Sequence, residues 1–527
     1  MSKEDDTDKT ITRFHVNGKT SLARDYFEPQ CHHAGALYNS AIFVQRNLLT
    51  ALTKNTQHRS DNEQEVLDRL DAIQPKWRKT RIHSLSNKIA KKRAKGEYPE
   101  ADIEKLLEIN TSTSLYAPGE WMIGYYKLDA LFKWEDNQHY RILHTHVAQN
   151  TIREVADAFT SFIDSIADYK QNPSKYTGRP QLPGYMKTGT MRTLVFSRGD
   201  CKIEEVQTTS HGKEKCLVFP KTNKQHFIPV GDLFEVGDKI GEVRVKPVGN
   251  GFEVQIVNDV EYPEPVDDNG RHSGGDLGLD NLIAILGNVE GIRPLIVDGR
   301  EVKSINQYFN KKISLAQAEL PTGVYTSAKI QELYDKRARQ LRTVLGFAAR
   351  LCAVYLHLTG VSRFVVGKNN GWKQKFKSSK RITQSFAYIP YEYFLGCLER
   401  RCRELGIGFI TTEESYTSKA SLTDLDEMPV WDGKEDRDAR DSKFSGKRVS
   451  RGRYVDSKGR VFNADINAAG NSLRKVFASD FDGVSDFGYA QNPYRARLGV
   501  FTGDEMTIKH VLCGLFSSEN IDEIVKK

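Results

Sequence analysis

Cysteine is scarce in this chain of 527 residues: there are seven, and none forms a C-x-x-C pair. That excludes a disulfide framework and a ribbon-type zinc site. Long apolar runs are missing as well; no eighteen consecutive apolar residues occur, which excludes a membrane-spanning helix. The opening MSKEDDTDKT is acidic and polar and lacks the features of a signal peptide, so a cytoplasmic protein is expected. No internal repeat is present. Hydrophobic residues make up 39% and charged residues 28%, the balance of a folded soluble protein, and the length calls for two to four domains.

Acid is what three segments lack, although the net charge of the whole chain is only +8. Between Lys76 and Lys95 there are nine Lys or Arg residues and no Asp or Glu, with Trp77 and apolar residues at helical spacing. Lys368–Arg381 carries six cations around Trp372 and Phe376, and Lys443–Tyr454 carries five, with Gly446 and Gly452. One such run is ordinarily a solvated face. Three acid-free runs, two of them with tryptophan, fit phosphate contacts plus base stacking better. The candidate nucleic-acid contacts are therefore Lys76, Arg78, Lys79, Arg81, Lys91, Lys92 and Arg93; Lys368, Trp372, Lys373, Lys375 and Lys377; and Lys447, Arg448 and Arg451.

Hydrophobic periodicity orders the chain. RFHVNG (13–18) alternates as a strand, His33–Leu52 reads as a long amphipathic helix, and helical patterns continue to about residue 170. Residues 172–185 form a breaker cluster, and Met186 to about Pro265 gives short alternating strands, as in a small β-barrel. VDDNGRHSGG (266–275) reads as a flexible linker. Beyond it strands and helices alternate, as in an α/β domain with a mixed sheet, and the signals fade after Ser479.

Within that α/β region carboxylates fall at element ends. Asp276 opens an apolar strand beside Gly274, Gly275 and Gly278; Asp465 begins a helix with small Ala468, Ala469 and Gly470; Glu413 and Glu414 close a strand. Each alone has a plain explanation, as helix cap, turn residue or solvated strand end. Together they are the hard oxygen ligands that two divalent ions need for in-line phosphodiester hydrolysis. Cys31-His32-His33 lacks a second ligand cluster, and Cys397 and Cys402 read as core residues of a helix.

These stretches resemble a known family, the RuvC-type nuclease domain of the transposon-associated TnpB (OrfB) proteins and the related compact type V CRISPR nucleases. DLGLDNL resembles the first RuvC motif and NADINAAGNSLRK the third; KSINQYFNKKIS, GKNNGWKQ, EESYTSKAS, LYNSAIFVQRNLL and NPSKYTGRPQLPGY also resemble that family, in the same order along residues 13–477. The resemblance implies a multidomain α+β fold with a helical recognition lobe, a wedge-type β-barrel and a RuvC (RNase H-like) α/β nuclease domain. The matching divisions are a wedge strand in 1–30, the helical lobe in 31–180, the rest of the wedge in 181–268, the nuclease in 269–478 with a lid insertion at about 415–462, and a tail in 479–527.

Two departures mark a subgroup. The middle glutamate of many members closes the strand RFVVGKNNGW, where this chain has Gly367 and no acid from Arg363 to Trp372. EESYTSKAS resembles the members in which it is relocated, and Glu414, three residues before the TS of YTS, is favoured over the alternative Glu413. The C-x-x-C pairs that follow YTS in most relatives are absent, and residues 422–463 hold no cysteine, so no zinc is expected; Asp424, Asp426 and downstream arginines are expected to hold the lid. The resemblance implies an RNA-guided DNA endonuclease in which Asp276, Glu414 and Asp465 are catalytic and bind two Mg2+, with Mn2+ able to substitute. Its partners would be a guide RNA and double-stranded target DNA, without a membrane, as monomer or homodimer, at the nucleoid of a bacterial or archaeal cytoplasm. The alternatives are a nuclease-dead RNA-guided repressor and a non-cleaving RNA-binding accessory protein of transposition.

Overall fold

The computed structural model describes residues 8–54, 56–111, 115, 122–208, 212–222, 224–249, 251–368, 389–429, 444–484, 486–498, 508 and 511–516. These fall into two compact units, Met1–Val260 and Glu261–Lys527.

The first unit begins with β1 (Asp8–Asn17), followed by α1 (Glu28–Thr53), α2 (Asp61–Ala94), α3 (Glu100–Thr111), α4 (Tyr125–Trp134), α5 (Gln138–Ile142) and α6 (Thr145–Gln171). Then come β2 (Leu194–Phe196), β3 (Lys202–Thr208), β4 (Gly212–Val218), β5 (Phe227–Pro229), β6 (Glu242–Val248) and β7 (Gly251–Val260). The helix read over 33–52 starts earlier, at Glu28, and buries Ala34, Leu37, Ala41, Val44 and Leu48 at helical spacing. Helix α2 is started by Ser60, which forms a reciprocal capping box with Glu63. The strands expected to make one small barrel lie in two antiparallel sheets, β1-β7-β6-β2 and β3-β4-β5. Both sheets share their core with the helices: Phe27, Leu37, Phe159, Phe196, Leu217 and Val254 belong to one buried cluster.

The second unit contains β8 (His272–Leu277), β9 (Asn281–Gly287), β10 (Leu295–Asp298), α7 (Arg300–Ala318), α8 (Ala328–Leu358), β11 (Arg363–Gly367), α9 (Tyr391–Glu404) and β12 (Gly408–Thr412). It ends with β13 (Lys447–Ser450), β14 (Arg453–Val455), β15 (Val461–Asn463), α10 (Ala464–Arg474), α11 (Gly488–Gln491) and β16 (Tyr494–Ala496). A six-stranded mixed sheet runs β12-β11-β8-β9-β10-β16, parallel at β12/β11, β11/β8 and β10/β16 and antiparallel between. Helix α8 is long and apolar enough to cross a membrane, but Leu345, Ala349, Leu351, Cys352 and Leu356 are buried in the core of this unit. Cys397 and Cys402 are buried in the same cluster.

The expected linker at 266–275 is corrected. Its second half is already β8, and Asp268 is fixed by His272 Nε2 at 2.7 Å and the Ser362 hydroxyl at 3.2 Å. The glycines that read as loop are there for packing: a Cβ at Gly274 would strike the carbonyl oxygen of Ala469 in α10, and one at Gly275 would lie 2.7 Å from the Phe364 ring. The weakly patterned tail is corrected too, because it supplies β16, an edge of the main sheet.

The small sheet β13-β14-β15 is tied down by carboxylates. Asp424 accepts from Ser421 Oγ at 2.6 Å and the Ser457 amide at 3.0 Å; Asp426 accepts from the amides of Ser421 (2.8 Å) and Ser445 (3.0 Å). Asp456, its side chain fully buried, accepts from Thr423 Oγ1 at 2.9 Å and Arg460 Nε at 2.6 Å. Burial alone would push the Asp456 carboxyl up, but these donors outweigh it and hold it below the usual range. A depressed carboxylate stabilises the fold above its unfolded pKa and loses that contribution as pH falls through the folded one. Asp456→Asn is accordingly expected to cost about 1–3 kcal/mol at neutral pH and less in acid, read by thermal unfolding across pH.

Candidate active site

The sheet's central strand sets the geometry. Residues two apart on a strand share a face, so Asp276 points to the side on which Gly274 receives α10. Asp465 stands in the first turn of that helix. It is not the cap, as the plain explanation had it: Asn463 is, its side chain accepting from the amides of Asp465 (3.0 Å) and Ile466 (3.3 Å), which leaves the Asp465 carboxylate to face the sheet. The neighbouring strand β11 ends at Gly367, paired with Thr412 of β12. A Cβ on Gly367 would lie 2.5 Å from Glu414 Cγ and 2.9 Å from its Oε1, so the Glu414 side chain fills the space that a residue other than glycine at 367 would need.

Electrostatics record how close the three acids come. Burial, and then the charges of Asp465 and Glu414, push the Asp276 carboxyl well above its usual range. Burial raises that of Glu414 to about 7. Glu413 is turned the other way: it pairs with Lys475, whose side chain is only 6% exposed, and accepts from the Ser415 amide at 2.7 Å.

Five neighbours were not picked out as site residues from the sequence, or were picked out for another role. Asn281 Nδ2 donates to Asp465 Oδ2 at 2.6 Å, and Arg495 Nη1 on β16 donates to Asn281 Oδ1 at 2.7 Å, fixing which end of the amide meets the acid. Tyr391 donates its hydroxyl to the Gly278 carbonyl at 2.7 Å; burial, then Asp276, Glu414 and Asp280, push its phenol up. Arg448 Nη2 lies 3.4 Å from Asp465 Oδ1, and Arg451 lies 3.1 Å from Asp280, which also meets Lys303 at 3.0 Å. Two arginines assigned to nucleic acid thus stand against the acids, while Lys447 is exposed. DLGLDNL held the signal for Asn281; nothing local marks Arg495.

The basic face of α2 forms as a helix, yet part of its charge is engaged within the first unit. Lys76 lies 5.1 Å from the Trp134 ring and Arg81 5.8 Å from Tyr126, while Lys88 and Lys92 both pair with Asp102, at 2.8 and 3.0 Å. Arg78 and Lys79 line an open groove with Pro75 and Ile82, and Lys91 and Arg93 are exposed. Lys368 pairs with Glu392 at 2.8 Å; Trp372, Lys373, Lys375 and Lys377 lie outside the described residues. His33 Nδ1 meets His139 Nδ1 at 3.0 Å, whereas Cys31 is buried in the core.

Residues 255–373 match the family model OrfB_IS605, described as a probable transposase. The chain is also similar to solved structures: a cryo-EM Cas12f1–sgRNA–target DNA complex (14% identity, TM-score 0.29, covering 89% of this chain and 100% of that one), a CRISPR-Cas12f ternary complex (15%, 0.29, 77% and 80%) and an AacC2c1–sgRNA binary complex (9%, 0.25, 80% and 72%). No curated protein matches it. The matched segment takes in β8, β9 and β11, and so Asp276, Asn281 and Gly367.

Proposed function

We propose that this chain is an RNA-guided DNA endonuclease that cuts with a RuvC-type, RNase H-like centre made of Asp276, Glu414 and Asp465. The observation that carries the reading is the meeting of three carboxylates from a central strand, a strand end and a helix start, with Glu414 seated in the space left by Gly367. The four-stranded sheet closed by β1 corresponds in this reading to the wedge, and the helices to the recognition lobe. The guide RNA, the DNA target and a place at the nucleoid rest on the motif order and the matched family segment.

The donor set fits a divalent ion. Three carboxylates, with Asp276 held well above its usual range by burial and then by the charges of the other two, form an all-oxygen group that a hard cation would neutralise. Asp276, Glu414 and Asp465 would hold Mg2+, which when bound supplies positive charge to the scissile phosphate and makes water acidic enough to attack it. The chain's own residues set the geometry. Asn281, oriented by Arg495, holds Asp465 through Oδ2; Arg448 places a cation beside Oδ1, where a phosphate oxygen would also be drawn; Tyr391 anchors the turn after β8 through the Gly278 carbonyl.

The test is cleavage of a plasmid carrying a matched target by the protein purified with its native RNA, with and without Mg2+. Binding without cutting would identify the repressor, and RNA binding without target binding the accessory protein. Asn281→Ala is expected to slow cutting roughly 10- to 100-fold, the usual loss when a ligand's outer partner is removed, with thermal unfolding little changed. An unaltered rate would remove Asn281 from the centre.

A further inference from the structure

The first unit contains a second set of ligand-type side chains that the nuclease reading does not use. His144 immediately precedes α6, His146 lies in its first turn, and Asp200 sits in the turn between β2 and β3. His146 Nδ1 is 2.7 Å from one carboxylate oxygen of Asp200, and His144 Nδ1 is 3.5 Å from the other. One ligand atom from each of the three lies within 4.8 Å of the other two.

Ion pairing with Asp200 is the ordinary explanation, and it leaves His144 only loosely engaged, its Nδ1 at 3.5 Å against 2.7 Å for His146. The Nδ1 of His144 is buried and makes no hydrogen bond. Such a nitrogen ordinarily costs stability. The ring is held in place, tilted against Phe196 with centroids 6.2 Å apart and edge-on to His146 at 5.6 Å. The Lys221 ammonium donates to the Leu143 carbonyl at 3.2 Å.

Asp200 is prepared in the same way. Its side chain is 7% exposed, and Oδ2 accepts from the Ser197 amide at 2.8 Å, the kind of outer hydrogen bond that orients a metal-binding carboxylate. His146 is about half exposed, which provides an entry path and a place for water.

We propose that His144, His146 and Asp200 bind one divalent transition ion, zinc first, with water as the fourth ligand. Two imidazoles and one carboxylate suit a borderline ion better than Mg2+. The ion would clamp the start of α6 to the β2–β3 turn, fastening the helices to the sheets of the same unit. Scarcity of cysteine bears on thiolate zinc sites and says nothing of this one, so the expectation of a zinc-free protein narrows to the lid.

The test uses full-length protein carrying Asp276→Ala, which dismantles the acidic centre, stripped with chelator and titrated with Zn2+ against a chromogenic competitor. One equivalent should bind and raise the thermal midpoint. Co2+ in its place should give the strong visible absorption of a tetrahedral site. His146→Ala, at a half-exposed position, and Asp200→Asn, which keeps an acceptor for Ser197, should each weaken zinc binding by more than the roughly 10- to 100-fold that loss of an outer partner costs. Both variants should keep the metal-free circular dichroism spectrum. Absence of stoichiometric zinc, or equal zinc binding by the parent and both variants, would overturn the proposal.

Discussion

Alanine at Asp276 or at Asp465 is expected to lower target cleavage by at least about a thousandfold, about 4 kcal/mol in the barrier, while RNA-guided binding to the same target persists. The separation follows from where the two side chains stand. Both face the other acids, and Asp465 is engaged by Asn281 and Arg448. Nucleic-acid affinity arises from phosphate contacts, to which a carboxylate contributes only repulsion. Nor should the fold suffer. A carboxyl whose folded pKa is raised destabilises the native state at every pH above its unfolded value, so removing Asp276 should leave the thermal midpoint in chelator unchanged or higher. Stabilisation by Mg2+ should disappear with it. The measurements are plasmid cleavage, filter binding and thermal unfolding with and without Mg2+. Cutting retained by either variant would remove that acid from the centre, and loss of binding together with cutting would assign it a structural role.

The parts of this centre that were legible in the sequence are those that local periodicity controls. The apolar run LIAILG located β9, and the small residues of α10 announced a helix pressed on a sheet, as the contact of Gly274 with Ala469 bears out; Asp276, however, expected to open a strand, stands near the end of β8. What escaped depends on contacts between distant segments. Arg495 sits on a three-residue strand in a tail without pattern, too short to register as a period, yet its pairing with β10 brings it to Asn281. The basic face of α2 was readable as a helix, but not that Trp134 and Tyr126 would take up Lys76 and Arg81. VDDNGRHSGG read as a linker because glycine is the usual mark of a loop; here two glycines are small so that α10 and Phe364 can approach. The choice between Glu413 and Glu414 was beyond periodicity altogether, since β12 ends at Thr412 and both residues lie past the strand.

That pair gives the sharpest expected contrast. Glu414→Gln should slow cutting about a thousandfold, roughly 4 kcal/mol, with little change in thermal midpoint, because glutamine keeps the shape and removes only the charge. Glu413→Gln should do the opposite. It strips Lys475 of a half-exposed carboxylate partner, which should cost about 1–3 kcal/mol of stability, while the rate at a permissive temperature stays within a few-fold of the parent. Gly367 extends the test to a residue with no chemistry of its own. An alanine Cβ there would come within 2.5 Å of Glu414 Cγ, so Gly367→Ala should displace the acid and lower the rate although every carboxylate is present. Gly367→Glu combined with Glu414→Gly moves the carboxylate to the end of β11 and opens the space it needs. The double variant should therefore cut faster than Glu414→Gly alone, and faster than Gly367→Glu, in which two glutamates compete for one volume. If the double variant is as inactive as Glu414→Gly, the space beside Gly367 does not define where the third acid must be. Equal rates for Glu414→Gln and the parent would take Glu414 out of the centre entirely.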